Sequence, residues 1–241
     1  MKKVTCVVDN TVQRSSRLWG EHGLAFWIET DQGCVLFDTG QSGEVLSHNL
    51  EALGLRLQDL KALALSHAHV DHTGGLRTVL SHNFGLPVYA NADLLRPRYS
   101  LSAGEYKSIG LSIPLEELTQ QADLRLSDSP IEVLPSLWTT GEVRERLELE
   151  GRSPNHFIHA DGEWRPDPYR DDMSLVMDTQ EGLVVICGCC HSAGQVPSAL
   201  LRQTRGRSTP VSGPTGGPYA AIVWQSIASR TPEPASSVSR R

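Results

Sequence analysis

Three histidines and an aspartate fall within six residues, His67-Ala68-His69-Val70-Asp71-His72, between the apolar run Leu60–Leu65 and the pair Gly74-Gly75. This cluster constrains the fold more than any other feature. Leu60–Leu65 is compact and apolar, so a buried strand delivers the cluster. The two glycines let the backbone bend tightly into Leu76–Leu80, which reads as the start of a helix. Leu86–Ala90 reads as the next strand, and strand, polar loop, helix, strand is the pattern of an α/β layered fold. Imidazoles and a carboxylate are borderline-to-hard ligands that suit zinc, manganese or iron. In an extended segment side chains two apart share a face. His67 and His69 therefore point to one place, while Asp71 and His72 turn toward a second ion. A surface loop that is polar by accident is the plain alternative, but such a density of ligands is rare by chance.

The flanks fit the same layered plan. Val4–Val8, Leu24–Glu29 and Cys34–Phe37 are short apolar runs, and Asp31-Gln32-Gly33 between the last two signals a hairpin. Asp38-Thr39-Gly40 closes the third run with turn residues. Val45, Leu46, Leu50 and Leu53 recur at helical spacing after Ser42, with Gly54 placed as the stop. Residues 91–170 are less regular, with short runs at Ile131–Leu134 and Leu137–Thr140. Ser174–Met177 and Leu183–Ile186 read as paired strands, and the second delivers Cys187-Gly188-Cys189-Cys190-His191.

Composition narrows the function class. The 241 residues carry 39% apolar and 21% charged side chains, enough for one domain with a sizeable core. No apolar run approaches the roughly 18–20 residues of a membrane span. Asp9 cuts the first apolar run short of a secretory signal, so the chain reads as soluble and cytoplasmic. Residues 1–194 hold 16 Lys/Arg against 27 Asp/Glu, an acidic body that argues against gripping nucleic acid. Five cysteines, three of them crowded into 187–190, suggest reduced thiols beside a metal site rather than a disulfide framework. The expected partner is a small-molecule substrate; the sequence leaves the oligomeric state open.

Ser66-His-Ala-His-Val-Asp-His-Thr-Gly-Gly75, with Phe37-Asp38-Thr39-Gly40 upstream and Cys-Gly-Cys-Cys-His191 downstream, resembles the metallo-β-lactamase superfamily. More narrowly it is similar to the branch of dihydropterin-methyl-ribofuranosylaminobenzene-phosphate-synthase-like hydrolases, over residues 1–194. The resemblance implies an αββα sandwich with two metal ions, zinc first among the candidates. His67, His69 and His191 would serve one ion, and Asp71 and His72 the other. Asp71 would also orient the nucleophile, a metal-bound hydroxide attacking an ester or phosphoester. Cys189 stands where many members place a bridging aspartate, with Asp171 and Asp172 as nearby carboxylates; which of them bridges is left open. Asp38 is expected behind a ligand histidine, fixing its tautomer, with a turn-capping role as the alternative. His22-Gly23 resembles a family element near the pocket rim, and on its own also reads as a turn. Cys187 and Cys190 read as small core residues. His48, His82, His156 and His159 read as surface or packing residues. Arg96, Arg98, Tyr99 and Lys107 are candidates for meeting an anionic substrate.

The chain departs from the family after Gly194. The resemblance calls for a further βαβ stretch with a Gly-Gly-Phe-His-like element and a final Pro-x-His pattern, yet no histidine follows His191. Residues 195–241 hold 8 Ser, 6 Pro and 6 Arg, and only Ala220–Trp224 looks capable of a strand. With 18 Arg against 4 Lys overall, a GC-rich gene translated out of frame would give such a tail. The tail is therefore expected to be frameshifted, truncated or divergent, and disordered. The sandwich is then incomplete at its C-terminus and the second ion is short of a ligand. Besides a metallohydrolase, the sequence admits a pterin-related synthase, or a metal-binding protein whose catalysis is lost.

Overall fold

The computed structural model describes residues 2–144, 151–180 and 182–191, and the backbone of 219–222. The chain opens with β1 (Lys3–Val8), β2 (Ala25–Thr30) and β3 (Gly33–Phe37), then passes through α1 (Gly43–Leu53) to β4 (Leu60–Ala64). Next come α2 (Val70–Thr73), α3 (Leu76–His82) and β5 (Leu86–Ala90). The middle holds β6 (Tyr99–Ser102), β7 (Glu105–Ser108), α4 (Leu115–Gln121), β8 (Ala122–Leu126), β9 (Glu132–Leu134) and β10 (Leu137–Thr139). β11 (His156–Ala160), β12 (Glu163–Pro166), β13 (Ser174–Thr179), β14 (Gly182–Cys187) and β15 (Tyr219–Ile222) follow.

These strands form a six-stranded sheet, β1-β2-β3-β4-β5-β8, a five-stranded sheet, β15-β14-β13-β10-β9, and a small sheet, β12-β11-β6-β7. The two-residue period of β2 explains why the first sheet is covered on both faces. Ala25 and Trp27 pack with Leu46, Leu50, Leu76, Leu80 and Leu118 from α1, α3 and α4. Phe26 and Ile28 point the other way and meet Leu137, Leu175, Met177 and Ile186 of the second sheet. Helices, sheet and sheet are thus stacked as three layers of an αββα sandwich. All four described α-helices precede β8 in the chain, and among the described residues none covers the outer face of the second sheet.

Local signals account for the elements that sequence reading finds. Ser42 caps α1 by accepting the Val45 amide proton, and Gly54 ends it in the left-handed conformation at φ 68°. β13 and β14 pair antiparallel from Ser174↔Cys187 to Thr179↔Gly182. In the tail, β15 pairs parallel to β14 with Val184 opposite Ala220; the expectation of disorder elsewhere in 195–241 lies outside the described residues. The small sheet is absent from the sequence reading. Its strands are short and polar, and aromatic contacts such as the Tyr106–Trp164 stack, with centroids 3.6 Å apart, hold them together.

Gly74 and Gly75 are not there for unusual dihedrals, since both lie in the right-handed helical region. They are there because the Phe37–Gln41 loop packs on them. A Cβ on Gly74 would come 1.9 Å from the Gln41 carbonyl oxygen, and one on Gly75 2.4 Å from that of Thr39.

Candidate metal centre

β4 ends at Ala64 and delivers Ser66–His72 to the edge where the two large sheets meet; β14 delivers Cys189 and His191 to the same edge. Two overlapping donor triads result: His67, His69 and His191, and His67, His72 and Cys189, the ligand atoms of each within 4.8 Å of one another. His67, His69 and His72 are all buried. Asp71 stands beside the second triad, its Oδ2 3.3 Å from His72 Nε2.

The hydrogen bonds decide which ring nitrogens face inward. His67 Nδ1 meets Ser66 Oγ at 2.8 Å, and its Nε2 faces His69 Nδ1 at 3.0 Å. His191 Nδ1 donates to the Gly151 carbonyl, so Nε2 is the ring atom turned toward the cluster. That nitrogen is buried without an aligned hydrogen-bond partner. His72 Nδ1 lies 2.6 Å from Asp38 Oδ2, so its Nε2 is the atom turned toward Cys189 Sγ at 3.0 Å. Buried ring nitrogens and a sulfur that converge this closely need protons or a cation among them. A cation satisfies them, so the residues fit a metal.

Electrostatics divides the imidazoles in a way that cuts across the two triads. Burial, with the neighbouring histidines, pushes His67 well below its ordinary value and His69 down to about 2. Burial also opposes charge on His72 and His191, but there the Cys189 thiolate outweighs it. His72 is lifted well above its ordinary range, aided by Asp38, and His191 to about 9. Burial works against the Cys189 thiolate as well, yet His72 and His191 overcome it and hold the thiol below its ordinary value. Without an ion, protons on His72 and His191 stand in for the positive charge.

A layer behind the donors holds them in place. Asp38 accepts the Ser66 amide at 2.7 Å and the Ser66 hydroxyl at 2.7 Å as well as facing His72. Asp171, one of the carboxylates considered for bridging, instead accepts the Ala68 amide at 2.8 Å, midway between His67 and His69. Its other oxygen lies 2.6 Å from Arg98, which also approaches Asp167 at 3.1 Å and Asp93 at 3.0 Å. The Asp167 and Asp171 contacts are close but off the donor axis, so they act as charge neighbours rather than aligned hydrogen bonds. Asp172 is buried and belongs to neither triad.

Two expectations from the sequence are corrected here. Arg98 does not meet solvent or an anionic ligand: it is fully buried among three carboxylates, and Arg96 is paired with Asp93. His156 is not remote, since its ring centroid lies 4.9 Å from that of His69. Tyr169 joins it there, its hydroxyl 2.9 Å from His156 Nδ1 and its ring stacked on His191 at 4.5 Å. Neither residue has a sequence signal, because each reaches the site through the small sheet and its connection to β13. Cys187 and Cys190 pack with Val176 and Val185, as small core residues do.

Two stacked sheets with a histidine-rich donor cluster at their common edge define an α/β-sandwich protein with a candidate metal centre. The chain belongs to the metallo-β-lactamase superfamily, whose family model matches residues 18–188. It is 27% identical over 200 residues to the 7,8-dihydropterin-6-methyl-4-(β-D-ribofuranosyl)-aminobenzene-5'-phosphate synthase of Methanocaldococcus jannaschii, spanning 78% of this chain and 68% of that one. An uncharacterized protein of the same organism is 29% identical over 191 residues, 78% of this chain and 70% of its own. Among solved structures, Tm1679, a metal-dependent hydrolase of the β-lactamase superfamily, superposes with a TM-score of 0.65 at 28% identity. That match covers 86% of this chain and 72% of Tm1679. Among the described residues, no helix is long and apolar enough to cross a membrane.

Proposed function

We propose that this chain is a metal-dependent hydrolase acting on an ester or phosphoester of a small molecule, with zinc the metal that suits the donor set best. The observation that carries the reading is His67, shared by two triads of converging donors. A divalent ion there supplies Lewis-acid polarisation of the scissile group and brings the acidity of water toward neutrality. His67, His69 and His191 would hold one ion, and His72 with Cys189 and Asp71 a second. Imidazole nitrogens with a thiolate favour zinc over harder ions. Burial opposes charge on Asp71, but His72 and His69 outweigh it and hold its carboxyl below the usual range, so it stays ionised. It would then orient an attacking water by accepting a hydrogen bond from it. Tyr169 covers the flat face of His191 and keeps solvent from it.

A second reading, pterin-related synthase chemistry, is favoured by the similarity to the M. jannaschii protein of that name. Mass balance of products with and without a second substrate separates the two. The deciding experiment is metal analysis together with a panel of small ester and phosphoester substrates, run on the chain and on a His67→Ala, His69→Ala variant. Near-stoichiometric metal and turnover, both lost in the variant, support the hydrolase. Metal bound without turnover on any substrate makes the chain a binding protein, and metal content unchanged by the variant refutes the site.

A further inference from the structure

We propose that Cys187 and Cys190 are a redox pair, closed to a disulfide by a low-molecular-weight disulfide such as oxidised glutathione, and that closure weakens metal binding next to it. The coupling to metal rests on the metal-centre reading above; the pair itself stands on the two thiols alone.

Cys187-Gly188-Cys189-Cys190 places two thiols three residues apart around a turn. Neither Cys187 nor Cys190 belongs to the donor triads, so the metal chemistry leaves both sulfurs unused. Cys187 ends β14 buried, opposite Ser174 of β13, whose hydroxyl donates to its sulfur. Cys190 stands in the left-handed region at φ 55°, which turns the chain back and leaves its sulfur 3.8 Å from the Gly188 carbonyl. The two thiols are hydrogen-bonded to each other and pack on one cluster with Val176 and Val185. A disulfide forms between sulfurs that already face each other, and these do.

Closure balances as two exchanges. Cys190 is half-buried where Cys187 is sealed, so it meets the reagent first. Its sulfur bonds to one sulfur of the reagent and breaks the S–S bond, its proton leaving with the departing thiol. The Cys187 sulfur then bonds to Cys190 and releases the second thiol with its own proton. The pair loses two electrons and the reagent, reduced, becomes two thiols. The hydrogen bond to Cys187, with burial, pushes the Cys190 thiol up, so the exchange is slow and is read at equilibrium.

The metal donors feel closure because the turn has no slack. A Cβ on Gly188 would come 2.4 Å from the Ser66 hydroxyl oxygen, and one on Gly151 2.5 Å from the Cys190 carbonyl oxygen. Cys189 lies inside the ring that the disulfide closes, and His191 directly follows it. Bonded sulfurs stand about 2.05 Å apart, closer than hydrogen-bonded thiols, so the turn must shift. Ligand distances tolerate only about 0.2 Å. By linkage, an ion that holds Cys189 and His191 resists closure by the factor that closure takes from its affinity.

Equilibration of the full chain in glutathione redox buffers, with and without zinc, tests both halves. Free thiols are blocked in denaturant with iodoacetamide, disulfides are then reduced, and the released thiols are labelled with N-ethylmaleimide. In the tryptic peptide 171–202, Cys187 and Cys190 should carry the second label and Cys189 the first. Cys190→Ser should leave Cys187 without the second label. Zinc should raise the oxidised-to-reduced glutathione ratio at half closure by at least about tenfold. A second label on Cys189 in place of either partner, on one partner alone, or on none at any ratio overturns the redox pair. Closure at the same ratio with zinc bound, as elemental analysis shows, overturns the coupling. No zinc on the chain overturns the metal-centre reading and the coupling with it, while the labels still decide the pair.

Discussion

Asp38 Oδ2 lies 2.6 Å from His72 Nδ1, and both side chains are sealed from solvent. The carboxylate fixes the imidazole tautomer, and Asp38 itself sits at φ 61°, a left-handed conformation that Asn tolerates as well as Asp. Asp38→Asn should therefore fold. Its amide group can donate to His72 Nδ1, which moves the imidazole proton to Nε2 and blocks the ligand atom. Affinity for the second metal equivalent should fall about 10–100-fold with the first little changed. Calorimetric titration checks this, and equal loss at both sites would show that Asp38 holds the loop rather than the tautomer.

Arg98 is the counter-charge for Asp93, Asp167 and Asp171. Removing it as Arg98→Met leaves buried acids unpaired, at a cost of roughly 3–5 kcal/mol. Adding Asp167→Asn to that variant should recover part of the loss, because one of the buried acids facing Arg98 is then neutral. Denaturant melts of the single and double variants decide it. A double variant less stable than Arg98→Met would contradict the charge argument.

Asp171 also predicts a pH effect. Burial, opposed by Arg98, raises its carboxyl from 3.8 to about 7. The folded state thus binds an extra proton between those values. Its contribution to stability is full below the lower pKa and is lost as pH rises through the upper one. Asp171→Asn should flatten the stability profile across that window; a wild-type profile already flat there rules the effect out.

Metal uptake should release protons. His67 and His69 are already bare at neutral pH, whereas His72 and His191 hold protons while no ion is bound. Ligation must displace them, so affinity at the His67-His69-His191 site should climb with pH until about 9, where His191 loses its proton unaided. Titrations in buffers of different ionisation enthalpy count the protons. A release of none would mean the imidazoles are bare before the metal arrives.

Gly75→Ala should destabilise the chain by more than the roughly 1–3 kcal/mol of ordinary overpacking. The new Cβ meets the Thr39 backbone, which cannot swing aside as a side chain does. The displaced Phe37–Gln41 loop should drag Asp38 with it, so the second metal equivalent weakens too. Thermal melting and metal titration on the same sample test both halves, and a stable variant with two full equivalents would contradict the packing argument.

Much of this was legible in the residues alone. The 67–72 ligands are close in sequence and leave one strand, so local geometry brings them together in any fold that buries Leu60–Leu65. Ser42 and Gly54 mark α1 by local chemistry, and Asp31-Gln32-Gly33 marks the hairpin between β2 and β3. Residues distant in the chain gave no such signal. Cys189 reaches His72 only because β14 and β4 end at the same edge. Asp171 and Asp172 are neighbours with equal claims in sequence, and only packing set Asp171 on the Ala68 amide and Arg98. His156 and Tyr169 border the site through a small sheet whose short polar strands carry no periodicity to read. His22 reads equally as a rim element or a turn, and only the fold lays its ring beside Asp71. Ligand type and local spacing are written along the chain; which lone pairs finally converge is decided by long-range packing, which no local pattern encodes.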